Sequence, residues 1–458
     1  MDILPAIVLS AAMYFWCQIL CPKCRFRTRP LVSPLNWFLC IFFTGMVLVP
    51  LAVALVGPSI VILPFKPSNT AINFAVLLNI VAYASFCCGV QVFHKDNPIA
   101  LIDSSEMSAL TWFPPAWLIV LYFILGVTGI ALRFGSPGNL IDYFGNPQSY
   151  LLLLYTESGS PTTLASAAAS FLMVFCPVSM ILLWCRWTYR QHRKKSFLSK
   201  AFPPLLIVVA ALSSALYSYS RAAFVIPMIA VAAVIAKRRT SLKSANLLGL
   251  GVLVACLVLL VSLYRSLYSM EGAVIEHSTN SSDISDMIQD YGTAPQFLGF
   301  FLQGTHYAED PKLGRVLLAS VLSPVPILGK SFREESGGTI YGNLLGRDDQ
   351  PALGVAEFFL DFSVFGVIAG FLTVGALVAT LQNCFDRANE PFEVYVLQFA
   401  SVCFSYIVVS GIEEVSQHAI YLSWPIYCFL LYRWGTKKLA ARRGNSENLG
   451  SLRPLKTG

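Results

Sequence analysis

The chain has 458 residues, of which 56% are hydrophobic and only 12% are charged, with a mean hydropathy of +0.64. Soluble domains carry about 25% charged residues, so this composition excludes an ordinary soluble protein and indicates a polytopic membrane protein. The formal net charge of +7 does not indicate a nucleic-acid-binding protein, because most basic residues fall in short connections between apolar segments, where they determine orientation.

Eleven apolar runs predict an all-α membrane protein with eleven transmembrane helices. The first run predicts a permanent helix rather than a cleaved signal peptide, because Asp2 precedes it and the basic cluster follows it. The sixth and seventh runs are either two short helices that meet at Ser220 and Arg221 or one interrupted unit. The approximate limits are 3–20, 35–57, 71–93, 113–133, 161–185, 202–219, 222–236, 247–264, 353–382, 393–411 and 418–434.

The distribution of Lys and Arg predicts the orientation of these helices. Most basic residues lie in the connections that follow the odd-numbered runs, and the positive-inside rule places those connections in the cytoplasm. The N-terminus and the long loop 266–351 are then exterior. The C-terminus is interior. We therefore expect one transmembrane domain over 1–436 and a flexible basic cytoplasmic tail over 437–458.

The twelve cysteines do not predict a disulfide framework, because all of them lie in apolar runs or in connections predicted to be interior. The segment Cys21-Pro-Lys-Cys24 has the spacing of half a zinc site, but no second half follows nearby. We therefore predict no metal and no cofactor.

The loop 266–351 is the longest segment without an apolar run of membrane length. We interpret it as a lid over the outer mouth of the bundle, so that the active site lies at the seam between loop and bundle. Within it, the apolar and aromatic segment 294–303 predicts a helix packed on the membrane surface. The exterior segment 134–160 is a second candidate for an interfacial helix.

Arg221 is the sharpest single signal for a site. It lies between two apolar runs near the outer surface and follows Tyr217-Ser-Tyr-Ser. A charge at the bilayer centre costs about 2.5–3.5 kcal/mol or more, so the guanidinium should face protein, water or an anion. The alternative is an interfacial anchor that ends a helix, and the same alternative applies to Arg265.

Several loop residues combine phosphate-binding cations with possible bases. Arg333 stands beside Glu334 and Glu335, and the alternative is a solvated charge cluster. His306 has the residue type of a general base, or it is a hydrogen-bonded loop histidine. Arg315 is a further candidate cation.

Acidic residues on the flanking helices complete the candidate set. Glu357 and Asp361 are four residues apart and share one helical face. Within an apolar run we expect them to face a polar cavity, although acidic residues are also favoured at a helix N-terminus. Glu413 and Glu414 lie in the last exterior connection.

The chain resembles the bacterial O-antigen polymerase (oligosaccharide repeat-unit polymerase) superfamily over about residues 130–434. Three features carry the resemblance: the motif Ser218-Tyr-Ser-Arg-Ala-Ala223 at the outer end of a helix, one large exterior loop late in the chain, and the sequence after that loop. This last feature comprises Gly342-Asn343, Ala352-Leu-Gly-Val-Ala-Glu357, Phe365-Gly366 and Gly370, followed by two closing spans.

The resemblance implies a metal-independent glycosyltransferase at the exterior face of a bacterial inner membrane. It would polymerise oligosaccharide repeat units carried on undecaprenyl diphosphate into O-antigen or exopolysaccharide, with membrane lipid, a chain-length regulator and a flippase as expected partners. Arg221, Arg265, Arg315 and Arg333 would bind the leaving diphosphate. Glu357, Glu335 or His306 would act as base or orienting acceptor for the attacking hydroxyl, with Asp361, Glu413 and Glu414 as further candidates.

Two other functions fit the same sequence. An O-antigen ligase would use the same donor with a lipid A-core acceptor. A transporter or flippase for polyprenyl-linked glycans should concentrate ionisable residues at mid-bilayer on interrupted helices, whereas here they cluster at the outer ends of helices and in one loop.

Overall fold

The fold is that of a computed structural model, which describes most of the chain. The described residues are 3–27, 30, 32–56, 63–96, 98–100, 114–145, 164–190, 197–217, 221–237, 295–306, 310–325, 329–346 and 352–436. Throughout these ranges the regular secondary structure is helical.

The helices are labelled in chain order. They are α1 Ile3–Leu20, α2 Pro34–Phe43, α3 Val49–Val56, α4 Asn69–Phe93, α5 Ala116–Phe134, α6 Pro137–Gly145, α7 Leu164–Met173, α8 Phe175–Arg190, α9 Phe197–Tyr217, α10 Arg221–Ala236, α11 Pro295–Gly304, α12 Arg315–Leu322, α13 Gly337–Leu345, α14 Gly354–Arg387, α15 Pro391–Val409, α16 Gly411–Gln417 and α17 424–436. Two π turns connect helices: Thr44–Leu48 joins α2 to α3, and His418–Leu422 leads from α16 toward α17.

Six helical segments of the described chain are long and apolar enough to cross a membrane. They are Pro34–Leu55, Asn69–Phe93, Ala116–Phe134, Ala168–Trp187, Gly354–Arg387 and Pro391–Val409, and three shorter apolar helices accompany them. The prediction of an α-helical membrane protein is therefore confirmed. The count of eleven spans stays a prediction, and its eighth run, 247–264, lies outside the described residues.

The helices α4 and α14 form the central pair of the first core, and they run parallel. Phe74 packs on Phe359 near one end, and Asn383 donates a hydrogen bond to the carbonyl of Phe93 at the other. Gly89 and Gly375 allow the backbones to approach closely, since a Cβ on Gly375 would lie 2.2 Å from the carbonyl oxygen of Phe86. Small residues serve this purpose where helices pack in membranes.

A second core joins α5, α8, α9, α10, α15 and α17 around Leu182, Ala230 and Phe399. Here α5 and the α7–α8 segment run antiparallel, because Gly126 lies against the backbone of Cys176 and Gly129 against that of Met173. Both cores are continuous layers of apolar side chains, which is how a helical bundle buries its interhelical surface.

Polar contacts between connections define two ends of the bundle. At one end, hereafter the basic end, Arg27 pairs with Asp386 and Lys237 donates to the carbonyl of Ala388. At the other, hereafter the loop end, Gln303 accepts from the backbone N–H of Ser68 and Ile412 donates to Glu357. The predicted topology assigns the same connections to opposite sides of a membrane. Which side each end faces stays a prediction.

The described part of the loop 266–351 is built into the bundle at the loop end. In α11, every residue from Pro295 to Leu302 is buried, and Gly299 lies against the backbone of Ala71 in α4. The expectation that 294–303 lies on the membrane surface is therefore wrong in position, although the segment is a helix. The physical reason is that its aromatic residues point to several sides, and a helix that is apolar all round is buried.

Candidate functional site

The site begins with a sharp turn in α14. Phe362 and Ser363 have non-helical dihedral angles, with φ −139°, ψ 19° and φ 57°, ψ −150°. The short segment 354–361 therefore folds back, and Phe358 lies against Gly366 and Gly370. A Cβ on Gly366 would lie 2.2 Å from the carbonyl oxygen of Phe358, so this return path requires glycine.

Glu357 lies on this folded-back segment and is fully buried. Its Oε1 accepts a hydrogen bond of 2.6 Å from the Ser320 hydroxyl, and its Oε2 accepts one of 2.6 Å from the backbone N–H of Ile412. The Ser320 oxygen in turn accepts from the backbone N–H of Gly337 at 3.0 Å. One carboxylate thus joins α12, the start of α13, α14 and the start of α16. Both oxygens of this buried group therefore have hydrogen-bond partners, as buried polar groups require.

Asp361 has a different set of partners. Its Oδ1 accepts from the backbone N–H of Val316 at 3.1 Å, and its Oδ2 accepts from that of Leu317 at 2.8 Å. These groups belong to the first turn of α12, whose N–H groups have no intrahelical acceptor. Asp361 therefore caps α12 from a distant part of the chain, and its negative charge suits the positive end of the helix dipole.

The last exterior connection closes over the same helix. Glu413 accepts a 2.6 Å hydrogen bond from the hydroxyl of Ser323, the residue that follows α12. The Tyr421 hydroxyl donates to the carbonyl of Pro324 at 2.9 Å. Glu414 lies 3.6 Å from the His418 ring nitrogen, one helical turn away. These contacts fix the C-terminal end of α12 as Asp361 fixes its beginning.

The charged candidates of the loop lie on the exposed surface of this assembly. Arg315 is the first residue of α12, and Arg333 and Glu335 belong to a 3₁₀ turn; all three are exposed. The Arg333 guanidinium is close enough to Tyr421 to interact electrostatically. His306 is exposed, with a φ of 49° just after α11.

The structure thus sorts the sequence-predicted residues into two groups. Glu357, Asp361 and Glu413 converge inside the seam between loop helices and bundle, while the loop cations and His306 remain outside it. The expectation of a polar cavity beside Glu357 and Asp361 is wrong, because backbone N–H groups and a serine hydroxyl donate hydrogen bonds to the carboxyl oxygens of both residues. Arg221 begins α10, but its side chain lies outside the described part of the chain, as does the whole of Arg265.

Sequence reasoning missed Ser320, Ser323 and Gly337 as parts of the site. Gly337 must be glycine because of Glu357: a Cβ on Gly337 would lie 2.6 Å from Oε1 of that side chain. No local pattern marks these partners, since each is separated from its carboxylate by tens of residues in sequence.

The six candidate spans carry their ionisable residues near their ends. Glu357 and Asp361 precede the turn at Phe362, and Arg133, Arg186, Asp386 and Glu393 lie within a few residues of a helix end. Among the described residues, no cluster of three His, Cys, Asp or Glu side chains has a metal-binding arrangement.

Comparisons with protein-family models, with curated proteins and with solved structures returned no match to this chain.

Proposed function

We propose that this protein is a membrane glycosyltransferase that polymerises undecaprenyl-diphosphate-linked oligosaccharide repeat units at the exterior face of a bacterial inner membrane. The observation that carries the proposal is that ionisable groups lie near the ends of the helices. At the loop end, Glu357 joins α12, α13, α14 and α16 in one seam, and Arg315, Arg333 and His306 are exposed at the same end. The middles of the six candidate spans carry no Asp, Glu, Lys, Arg or His. That distribution favours chemistry at a membrane surface over transport through the bilayer.

The reaction needs two kinds of groups at such a surface. A hydroxyl of the acceptor glycan attacks the anomeric carbon of the donor glycan, the bond from that carbon to the diphosphate oxygen breaks, and the diphosphate leaves with the electron pair. Exposed Arg315 and Arg333 are proposed to bind the leaving charge together with Arg221 and Arg265, because a guanidinium matches phosphate oxygens in a bidentate fork.

The proton of the attacking hydroxyl needs an acceptor. His306 and Glu335 are exposed at the loop end and can meet a glycan directly. Glu357 has no exposed surface, and both of its oxygens are hydrogen-bonded. We therefore assign to His306 or Glu335 the role of base, and to Glu357 the role of holding α12 and α13 in position.

The proposal is tested with purified protein in proteoliposomes that contain undecaprenyl-diphosphate-linked repeat units as the only glycan substrate. A ladder of longer lipid-linked glycans supports it. Product that forms only when lipid A-core is added would show a ligase instead, and movement of the lipid-linked glycan across the membrane without any new glycosidic bond would show a flippase; either result overturns the proposal.

Variants connect the activity to the loop cations. Arg333→Ala and Arg315→Ala should each lower the initial rate by about tenfold or more, because each removes a fixed charge from the leaving diphosphate. Arg333→Lys should recover only part of the rate, since an ammonium cannot form the bidentate fork. Lys330→Ala is the matched control, because Lys330 is an exposed cation three residues away, and it should leave the rate nearly unchanged.

A further inference from the structure

Five cysteines cluster at the basic end of the bundle, far from the site described above. The thiols of Cys24 and Cys87 lie 3.1 Å apart and are fully buried. Cys17 lies close to Cys87, and Cys21 lies close to Cys88. Cys17 belongs to α1, Cys21 and Cys24 belong to the connection that follows it, and Cys87 and Cys88 belong to α4.

The distance between Cys24 and Cys87 is close to that of a covalent link. A disulfide bond measures about 2.05 Å, so an oxidant that removes two electrons, with the loss of two protons, can convert this contact into a bond after an approach of only about 1 Å. Cys185 and Cys403 are also buried, but no thiol contact like that of Cys24 with Cys87 is seen for them among the described residues. The five-cysteine cluster is therefore distinct from the other core thiols of the chain.

The cluster also has an accessible side. Cys21, which directly follows α1, is partly exposed, and Cys88, five residues before the end of α4, is exposed. A reagent at the membrane surface can therefore meet this pair, while the other pair stays buried. Cys21 and Cys24 have the Cys-x-x-Cys spacing found in thiol–disulfide exchange proteins. The absence of a metal-binding arrangement in the described chain favours this chemistry over a thiolate metal site.

We propose that this cluster is a thiol–disulfide exchange site, in which Cys21 and Cys88 are oxidised first and Cys24 and Cys87 form the final disulfide. The oxidant is a low-molecular-weight disulfide of the glutathione class. The predicted location at the cytoplasmic end implies a reversible bond, because disulfides in reducing compartments are typically transient and redox-sensing.

The exchange balances in two stages. A thiolate of the Cys21–Cys88 pair attacks the small disulfide and releases one small thiol; its partner attacks the mixed disulfide and releases the second, so two electrons pass to the reagent. The Cys24 thiolate then attacks the sulfur of Cys21 and releases Cys88. Finally the Cys87 thiolate attacks the sulfur of Cys24 and releases Cys21, and the two protons lost by Cys24 and Cys87 return to Cys88 and Cys21.

The bond would link the connection after α1 to α4, which is the parallel partner of α14. Its formation would therefore tie the N-terminal helix to the central pair of the first core. This inference does not depend on the proposed glycosyltransferase activity.

The test uses full-length protein in proteoliposomes, exposed to oxidised glutathione, blocked with a maleimide and digested for mass spectrometry. The linked Cys24–Cys87 peptide should exceed any link to Cys185 or Cys403 by about tenfold or more and should disappear on reduction. Unlinked Cys24 and Cys87 in folded, oxidant-treated protein would overturn the proposal, as would protection of the cluster by bound zinc or copper detected in the purified protein.

Variants distinguish the pair that is oxidised first, Cys21 and Cys88, from the pair that forms the final disulfide, Cys24 and Cys87. The double substitution Cys21→Ser and Cys88→Ser should slow formation of the Cys24–Cys87 link by about tenfold or more, and an unchanged rate would overturn the assigned order. Cys87→Ser should abolish the link, with Cys403→Ser as the control for replacing a buried thiol. Cys24→Ala provides a second test if Cys87→Ser fails to fold.

Discussion

Gly337 is constrained by a carboxylate that lies twenty residues further along the chain. A side chain at this position would place its Cβ 2.6 Å from both Cγ and Oε1 of Glu357, and the carboxylate cannot retreat because Ser320 and Ile412 hold both oxygens. Contacts of this kind determine a residue type without any signal in the local sequence.

Gly337→Ala should therefore lower the free energy of unfolding by about 1–3 kcal/mol, the usual cost of overpacking a well-packed core. Thermal unfolding in detergent measures the change. Gly435→Ala is the matched control, because no atom lies within 4 Å of a Cβ at Gly435. In the double variant with Glu357→Ala the two effects should not add; simple additivity would show that the clash is not with Glu357.

His94 is the residue through which pH should act on the basic end. Its Nε2 is hydrogen-bonded to the Arg27 guanidinium, which can only donate, so this nitrogen must be unprotonated. Burial and the neighbouring charge of Arg27 lower the pKa of His94 below its ordinary value of 6.5. Between this lowered pKa and pH 6.5, the unfolded chain therefore binds more protons at His94 than the folded chain does.

Because the unfolded state binds more protons in that window, stability should fall as pH drops below about 6.5 and should be fully present above it. The unfolding temperature of the wild type, followed from about pH 7.5 to 5.5, measures this effect. His94→Gln should flatten the dependence, since glutamine offers Arg27 an acceptor that does not titrate. His306→Gln, a change at an exposed histidine, should leave the slope intact.

Among the helices and turns, the contact between the start of α14 and α12 shows what the sequence predicts and what it does not. The spacing of Glu357 and Asp361 on one face was readable, and so was their place near the start of a helix. The turn at Phe362 and Ser363 was not, because neither residue type favours a positive φ or a helix break. Tertiary contacts impose that turn, and it directs Asp361 to the N-terminus of a helix 44 residues earlier.

Asp361→Ala should leave the N–H groups of Val316 and Leu317 without partners and cost about 1–3 kcal/mol of stability. Asp361→Asn should cost less, because the amide keeps one acceptor oxygen. Hydrogen exchange of the first turn of α12 locates the loss, and Asp310→Ala, at an exposed acidic residue before the same helix, is the control. Equal exchange in Asp361→Ala and the control would contradict the capping role.

At the level of the whole molecule, the apolar runs predicted helices well, since every run with described residues contains one. The packing order was not predictable, because hydropathy determines which segments enter the membrane but not which neighbours they choose. The parallel pairing of α4 with α14 joins segments almost 300 residues apart, and the burial of α11 depends on that pair. The loop 266–351 was interpreted as a lid, whereas its helix α11 contributes buried residues to the first core.

The observed helix directions nevertheless restrict the topology. Parallel α4 and α14 must cross in the same sense, as must α2 and α15, where Trp37 donates to Ser405 and Ser401 to the carbonyl of Pro34. The predicted topology likewise gives the third and ninth runs, which contain α4 and α14, the same direction. It also gives the second and tenth runs, which contain α2 and α15, the same direction. The N-terminal ends of α4 and α14 therefore lie at the loop end, and those of α2 and α15 lie at the basic end.

An epitope inserted at Gly346, an exposed left-handed position at the end of α13, should accordingly be accessible to protease or antibody in cells whose outer membrane alone is permeable. A fluorescent protein fused after residue 458 should fold and fluoresce in the cytoplasm, because the basic connections favour the inner side. The insertion is preferable to a fusion near residue 300, where α11 is buried. A protected epitope together with an exterior C-terminus would show that the bundle has the opposite orientation. The loop cations would then lie in the cytoplasm, and the proposed exterior glycan chemistry would be excluded.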